Sequence, residues 1–327
     1  MFELLKKLCN SFGVSGNEDE IRRVINDEIE DYMDEIRVDA LGNLIAVKKG
    51  SGKKIMVAAH MDEIGIIATY VDDDGYIRFS KVGGVSPYYA LSKRVRFENG
   101  ILGVVFYEQE LKEMKNLKLS NMYIDAGFSG KNEAGKYVKI GDTARFLGST
   151  VKQGDKIISG SLDDRAGCAV LIESIKSMQQ TRNEIHYVFT VQEELGLRGA
   201  RTAAFDIRPD IAIALDVTAT GDTPKSETME VTCGKGPAVK IKDSSIICHP
   251  LVRNLIENSA KKINIPLQYE VLERGGSDPG SIHITAGGIP SGAISIPCRY
   301  VHSTVEMISL TDIENSVRLL NQCLADF

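Results

Sequence analysis

Tryptophan is absent from the 327 residues, and aromatic residues make up only 6% of them. That is too few to build a carbohydrate-stacking surface. Proline is scarce at 9, the 30 glycines follow no repeat, and 43% of the chain is hydrophobic. This excludes collagen-like and disordered chains and leaves enough apolar material for a sizeable core. The six cysteines (Cys9, Cys168, Cys233, Cys248, Cys298, Cys323) lack C-x-x-C spacing and read as reduced, mostly buried small hydrophobes. There is no basic excess: the net charge is −6, which argues against a nucleic-acid partner. No apolar run approaches the roughly 18 residues that mark a membrane span. The first nine residues carry Glu3, Lys6 and Lys7, so a signal peptide is not expected. What remains is a cytoplasmic, globular enzyme of about two domains, without membrane or nucleic-acid partners.

Helical and strand patterns alternate along most of the chain. Ser15-x-x-Glu18 reads as a capping box before Ile21, Val24, Ile25 and Ile29 at helical spacing. Short β-type or strand runs occur at 44–47, 55–59, 188–191, 211–215 and 293–296, and those at 188–191 and 211–215 are of the kind buried on both faces of a sheet. A helix is expected after Asp164, another from Pro250, and a last one after a second capping box, Thr311-x-x-Glu314. Residues 70–156 differ. Asp74-Gly75 and Asn99-Gly100 separate short β-type runs, and both dipeptides favour two-residue hairpin turns. The expected architecture is therefore α/β: a central mixed sheet flanked by helices, with a small all-β domain inserted at 70–156. The main domain comprises 1–69 and 157–327.

Metal-ligand and acid–base residue types collect where the apolar runs end. His60 and Asp62 follow one run, Glu193-Glu194 a second, Asp216 a third, and His302 stands shortly after a fourth. In α/β sheets, ligands bind beyond the carboxyl ends of strands, where loops converge on a rigid frame. Each residue also has a plainer reading. A single histidine after a strand is commonly a surface group, but an extended i, i+2 pair such as His60 and Asp62 projects to one side. A carboxylate there can accept the second imidazole N–H and fix the tautomer. One of Asp163-Asp164 can cap a helix, which leaves the other unexplained. Glu193 and Glu194 could line a solvated loop, yet adjacent carboxylates at a buried strand end repel unless a cation or proton intervenes. Together His60, Asp163, Glu194, Asp216 and His302 could hold two zinc ions, leaving Glu193 to take a proton from water. The single-zinc motif H-E-x-x-H is missing. His186 and His249 are read as structural or surface groups, and His283 as a weak pocket candidate.

At these residues the sequence resembles the tetrahedral aminopeptidases, a family that includes glutamyl aminopeptidases and relatives once labelled cellulases. The matching segments, in the family's order, are Gly13-Val-Ser-Gly-Asn-Glu18, His60-Met-Asp-Glu-Ile-Gly65, Ser161-Leu-Asp-Asp-Arg-Ala-Gly167, Gln192-Glu-Glu-Leu-Gly-Leu-Arg-Gly-Ala200, Ala214-Leu-Asp-Val217 and Arg299-Tyr-Val-His-Ser303. The resemblance implies a peptidase with two divalent metal ions, Zn2+ or Co2+, acting on short peptides. Its inserted β-rich domain would mediate dimerisation, and dimers would assemble into a hollow dodecamer. It implies that His60 and Asp216 bind one metal, that Glu194 and His302 bind the other, and that Asp163 bridges them. Glu193 would be the general base and Asp62 the partner of His60, with a cis peptide between Asp163 and Asp164. One segment departs: the family commonly reads Gly-Gly-Thr-Asp-Ala where this chain has Gly275-Gly-Ser-Asp-Pro279.

The expected reaction is removal of N-terminal residues from peptides. A metal-dependent deacylase or carboxypeptidase on the same scaffold is the nearest alternative, and would need a basic group for the substrate carboxylate. A glycan hydrolase would need two carboxylates flanking a sugar bond and no histidine–metal cluster. A non-catalytic scaffold would be expected to lack one or more of the ligands.

Overall fold

The computed structural model describes residues 1–178 and 181–327. An eleven-stranded mixed sheet forms its centre. Four of its strands run parallel: Glu184–Thr190, Lys54–His60, Ile211–Thr218 and Ser291–Arg299, in that spatial order. Their sequences are nearly unbroken apolar runs because helices cover both faces. On one face Leu162–Ser177 packs with Leu310–Asp326 over Val57, Ile213 and Ile294. On the other, Arg198–Ile207 and Pro279–Ile282 cover Met56, Ala58, Ala212 and Ala214. The expected α/β class and flanked mixed sheet are both present. Among the described residues, no helix is long and apolar enough to cross a membrane.

The second unit is a closed antiparallel barrel of six strands, in the order Gly65–Val71, Ile77–Val82, Met122–Asp125, Leu102–Tyr107, Arg94–Phe97 and Thr143–Phe146. Closure removes the exposed edges that short strands would otherwise present. Ile66, Ile77, Phe97, Val105, Ile124 and Ala144 fill its interior. Gly75 and Gly100 have φ of 93° and 89°, the left-handed conformation that the hairpin dipeptides supply. The first barrel strand begins at Gly65, ahead of the first turn signal. A Cβ at Gly65 would lie 2.7 Å from Val14 and 2.8 Å from the Ala144 carbonyl oxygen, so the strand is packed from its first residue. Beyond the barrel, Val151–Gln153 and Lys156–Ser159 belong to the large sheet through pairing with Glu306–Ser309. The chain thus enters the barrel just after His60 and Asp62, and returns just before Asp163.

Two helix starts differ from the capping-box reading. Ser15 does not cap; its hydroxyl donates to Asp62 Oδ2 at 2.5 Å, and the helix is Asp19–Ile29. The last helix is capped by Ser309, whose hydroxyl accepts the Asp312 amide at 3.3 Å, two residues ahead of Thr311. In both places a neighbouring polar group competes for the hydroxyl: Asp62 for Ser15, and Asp155, which accepts from Thr311, for the other.

Candidate metal centre

Strand register sets the first contact. Ala58 pairs with Ala214 in parallel alignment, so His60 and Asp216, each two residues further on, project side by side at the same end. His60 Nε2 lies 3.9 Å from Asp216 Oδ1 and 3.0 Å from Asp163 Oδ1. The other Asp163 oxygen is 3.3 Å from His302 Nε2, which is 3.0 Å from Glu194 Oε1. Two groups result, His60–Asp163–Asp216 and Asp163–Glu194–His302; within each, the potential ligand atoms lie within 4.8 Å of one another. Asp163 belongs to both. Five residues drawn from four strand ends and one helix start are therefore gathered in one place.

The adjacent aspartates divide their work. Asp164 Oδ1 accepts the Gly167 amide at 2.9 Å, capping the regular part of the helix, while Asp163 faces the two imidazoles. The peptide bond between them is cis. Asp62 is fully buried and accepts three hydrogen bonds: from the Ser15 hydroxyl at 2.5 Å, the Glu193 amide at 3.0 Å and the Glu194 amide at 3.2 Å. His60 Nδ1 stands 3.5 Å from its carboxylate and 3.2 Å from its carbonyl oxygen. One side chain therefore fixes the Glu193-Glu194 turn while its residue faces the imidazole.

Burial pushes the carboxyls of Glu193, Asp216 and Glu194 above the ordinary range, and neighbouring carboxylates add to the effect. Asp163 is lowered: burial opposes this, but hydrogen bonds from His302 and His60 outweigh it. Burial also opposes the charged form of His60, yet Glu193 and Asp163 hold its proton affinity well above the usual imidazole range. Among the described residues, the two imidazoles are the only cationic groups within 4.0 Å of Asp163, Glu194 or Asp216. Oxygen and imidazole donors in such acidic excess match divalent cations such as zinc. The residues present fit the implied metals. Glu193 is 9% exposed and belongs to neither group.

Two acids were not singled out from the sequence. Glu63 is buried between Arg145, at 3.1 Å, and Arg165, at 3.6 Å, tying the barrel to the helix Leu162–Ser177. Its position beside Asp62 was the only signal. Glu306 accepts the backbone amides of Asp163 and His302 at 3.1 and 2.8 Å; nothing in its spacing marked it. Of the remaining histidines, His186 pairs with Glu184 at 2.7 Å, His249 caps the helix Pro250–Lys262, and His283 Nδ1 bonds the Pro279 carbonyl at 3.0 Å. In the departing segment, Asp278 is buried and accepts from the Thr190 hydroxyl at 2.6 Å, while Pro279 opens a short helix. A cavity lined by Ile64, Val85, Ala90 and Phe146 opens beside Asp163, Glu194 and His302.

Comparison with known proteins agrees with this picture along nearly the whole chain. The M42 glutamyl aminopeptidase pattern matches residues 42–319. A protein of Acetivibrio thermocellus that carries a provisional aminopeptidase name is 64% identical over 99% of this chain and 98% of its own. Among solved structures, the aminopeptidase from the archaeon Desulfurococcus kamchatkensis superposes with a TM-score of 0.96 at 35% identity, covering 100% of this chain and 94% of that one. The Pyrococcus horikoshii TET1 peptidase, described as assembling into a tetrahedron or a large octahedral shell, gives a TM-score of 0.89 at 35% identity over 99% and 98% of the two chains. Buried carboxylates facing two imidazoles at the strand ends, and this extent of likeness, identify a metal-dependent aminopeptidase, and the chain belongs to the M42 glutamyl aminopeptidase family.

Proposed function

We propose that this chain removes the N-terminal residue from short peptides with two divalent metal ions, zinc or cobalt. His60, Asp163 and Asp216 would hold one ion, and Asp163, Glu194 and His302 the other. The observation that carries the reading is the shared Asp163, whose two oxygens face two separate imidazoles. Ions bound there supply Lewis acidity, polarising a peptide carbonyl and acidifying water. Glu193 is the proton carrier: it stands beside both groups without belonging to either. It takes a proton from the attacking water and returns it to the leaving amine, as general acid–base catalysis requires. Its raised proton affinity suits both halves of that cycle. Asp62 acts through others, holding the Glu193-Glu194 turn and orienting His60.

The surplus of carboxylates favours a substrate with a free, cationic α-amine. A carboxypeptidase would need a cation for the substrate's carboxylate, and among the described residues the cavity beside Asp163, Glu194 and His302 is lined by no lysine or arginine. The buried Lys240 is engaged by Glu270 and Asp243. Assembly is the remaining element of the proposal. The barrel domain would pair two copies, and pairs would build a closed shell of the kind described for the Pyrococcus horikoshii relative. Outward-facing Leu102 and Val104 on one barrel strand, 57% and 42% exposed, support a role in contact.

Glu193→Gln tests the chemistry. Turnover of aminoacyl chromogenic substrates should fall by about 10²–10⁴-fold, with two metal equivalents per chain retained. Near-normal turnover in that variant removes Glu193 from its role.

A further inference from the structure

Glu306 lies outside both ligand groups, yet its carboxylate is wedged between the two segments that converge on the site. It is 2% exposed. Oε2 accepts the Asp163 amide at 3.1 Å and Oε1 accepts the His302 amide at 2.8 Å. Burial and the neighbouring Asp163 push its carboxyl well above the ordinary range, opposed by those two amides and by the His302 imidazole. Its own backbone is fixed: Glu306–Ser309 pairs with Lys156–Ser159 on one side and with Ser291–Arg299 on the other.

Both segments need holding. Ser161, two residues before Asp163, has φ of 61°, and His302 itself has φ of 64°. Non-glycine residues in this left-handed region cost about 1–3 kcal/mol each, and they persist only where the surroundings over-determine them. Two amides accepted by the two oxygens of one buried side chain supply such a restraint on both segments at once.

We infer that Glu306 is a positioning residue that clamps the backbones of Asp163 and His302, fixing their separation so that both side chains reach one divalent cation. This rests on the metal reading above. The clamp acts on the main chain, so it sets where each ligand begins without touching substrate. A Gln at this position can accept only one of the two amides, because its NH2 end would face an N–H. A shorter Asp keeps two acceptor oxygens but cannot span both amides.

The test is cobalt binding to metal-depleted protein, followed by competition with a chromophoric chelator and by the visible absorption of bound cobalt. Wild type should bind two equivalents. Glu306→Gln should bind one of them about 10–100-fold more weakly, with an altered cobalt spectrum, and Glu306→Asp should fall between. A merely structural residue would lower the melting temperature of the metal-depleted protein and leave the affinity of the folded fraction unchanged. A folded Glu306→Gln with wild-type cobalt affinity and spectrum overturns the inference. So does a failure of both variants to fold, since Glu306 would then serve the fold as a whole. A wild-type protein that takes up no cobalt overturns the metal reading itself, and this inference with it.

Discussion

Glu18 is a carboxylate held against its preference. It is buried beside Asp62 and accepts the Gly16 amide at 2.7 Å and the Gln192 amide at 3.2 Å. Burial pushes its carboxyl up to about 7, against an ordinary 4.5. The folded protein therefore holds this proton more tightly than the unfolded chain between those two values. Stability from this group is fully present below pH 4.5 and is lost as pH rises through 7. Glu18→Gln cannot lose the proton, so its stability should decline less steeply across that window, by up to about 3 kcal/mol. Urea unfolding of metal-depleted wild type and variant at several pH values checks this, and parallel curves would refute it. Side chains of this kind show how little a residue's type reveals by itself. Glu18 looks like half of a capping box and instead spans two loops. Asp163 and Asp164 look alike and do different things.

At the scale of elements, the barrel reaches into the site through Gly83-Gly84, which directly follow the strand Ile77–Val82. A Cβ at Gly84 would lie 2.3 Å from His302 Nδ1, and one at Gly83 would lie 3.1 Å from Glu194 Cβ. Gly84→Ala must therefore displace the imidazole. A misplacement of about 1 Å in a catalytic group can cost about 100-fold in rate, so turnover should fall by that order while the barrel stays folded. Gly135 provides the control: it lies in the helix Lys131–Tyr137, where an added Cβ meets nothing within 4 Å. Gly135→Ala should leave activity unchanged and add roughly 0.5–1 kcal/mol of stability. Equal effects from the two substitutions would show that the barrel does not shape the site. The strands themselves were legible because runs such as Ile211–Thr218 are buried throughout, and the turns because Asn-Gly and Asp-Gly favour positive φ. Helix starts were less so, since a hydroxyl can be claimed by a distant carboxylate, as Asp62 claims Ser15.

For the molecule as a whole, the surface points beyond a single chain. Leu102 and Val104 form one apolar stripe on the barrel, and Tyr269 and Val271, 52% and 54% exposed, form another on an edge strand of the large sheet. Exposed apolar patches of this sort mark contacts between proteins more often than scattered single residues do. Light scattering should give a mass well above that of one chain, and Leu102→Asp with Val104→Asp should reduce it while leaving the metal content intact. A monomeric wild type would remove the assembly from the proposal. A closed shell would also exclude folded proteins, leaving short peptides as substrates.

The alternation of helices and strands, the class of fold and the chemical types waiting at the strand ends are all legible along the chain. These follow from local periodicity, turn dipeptides and the cost of burying charge, which neighbouring residues reveal. Which atoms meet depends on how distant segments pack. Strand register put His60 beside Asp216, and the start of one helix turned Asp163 toward both imidazoles. The support beneath them was equally hidden, because Glu306 binds amides of Asp163 and His302 rather than side chains. Every residue except proline carries an amide N–H, so such a contact leaves almost no mark on residue type or spacing, and the path of the chain brings it about.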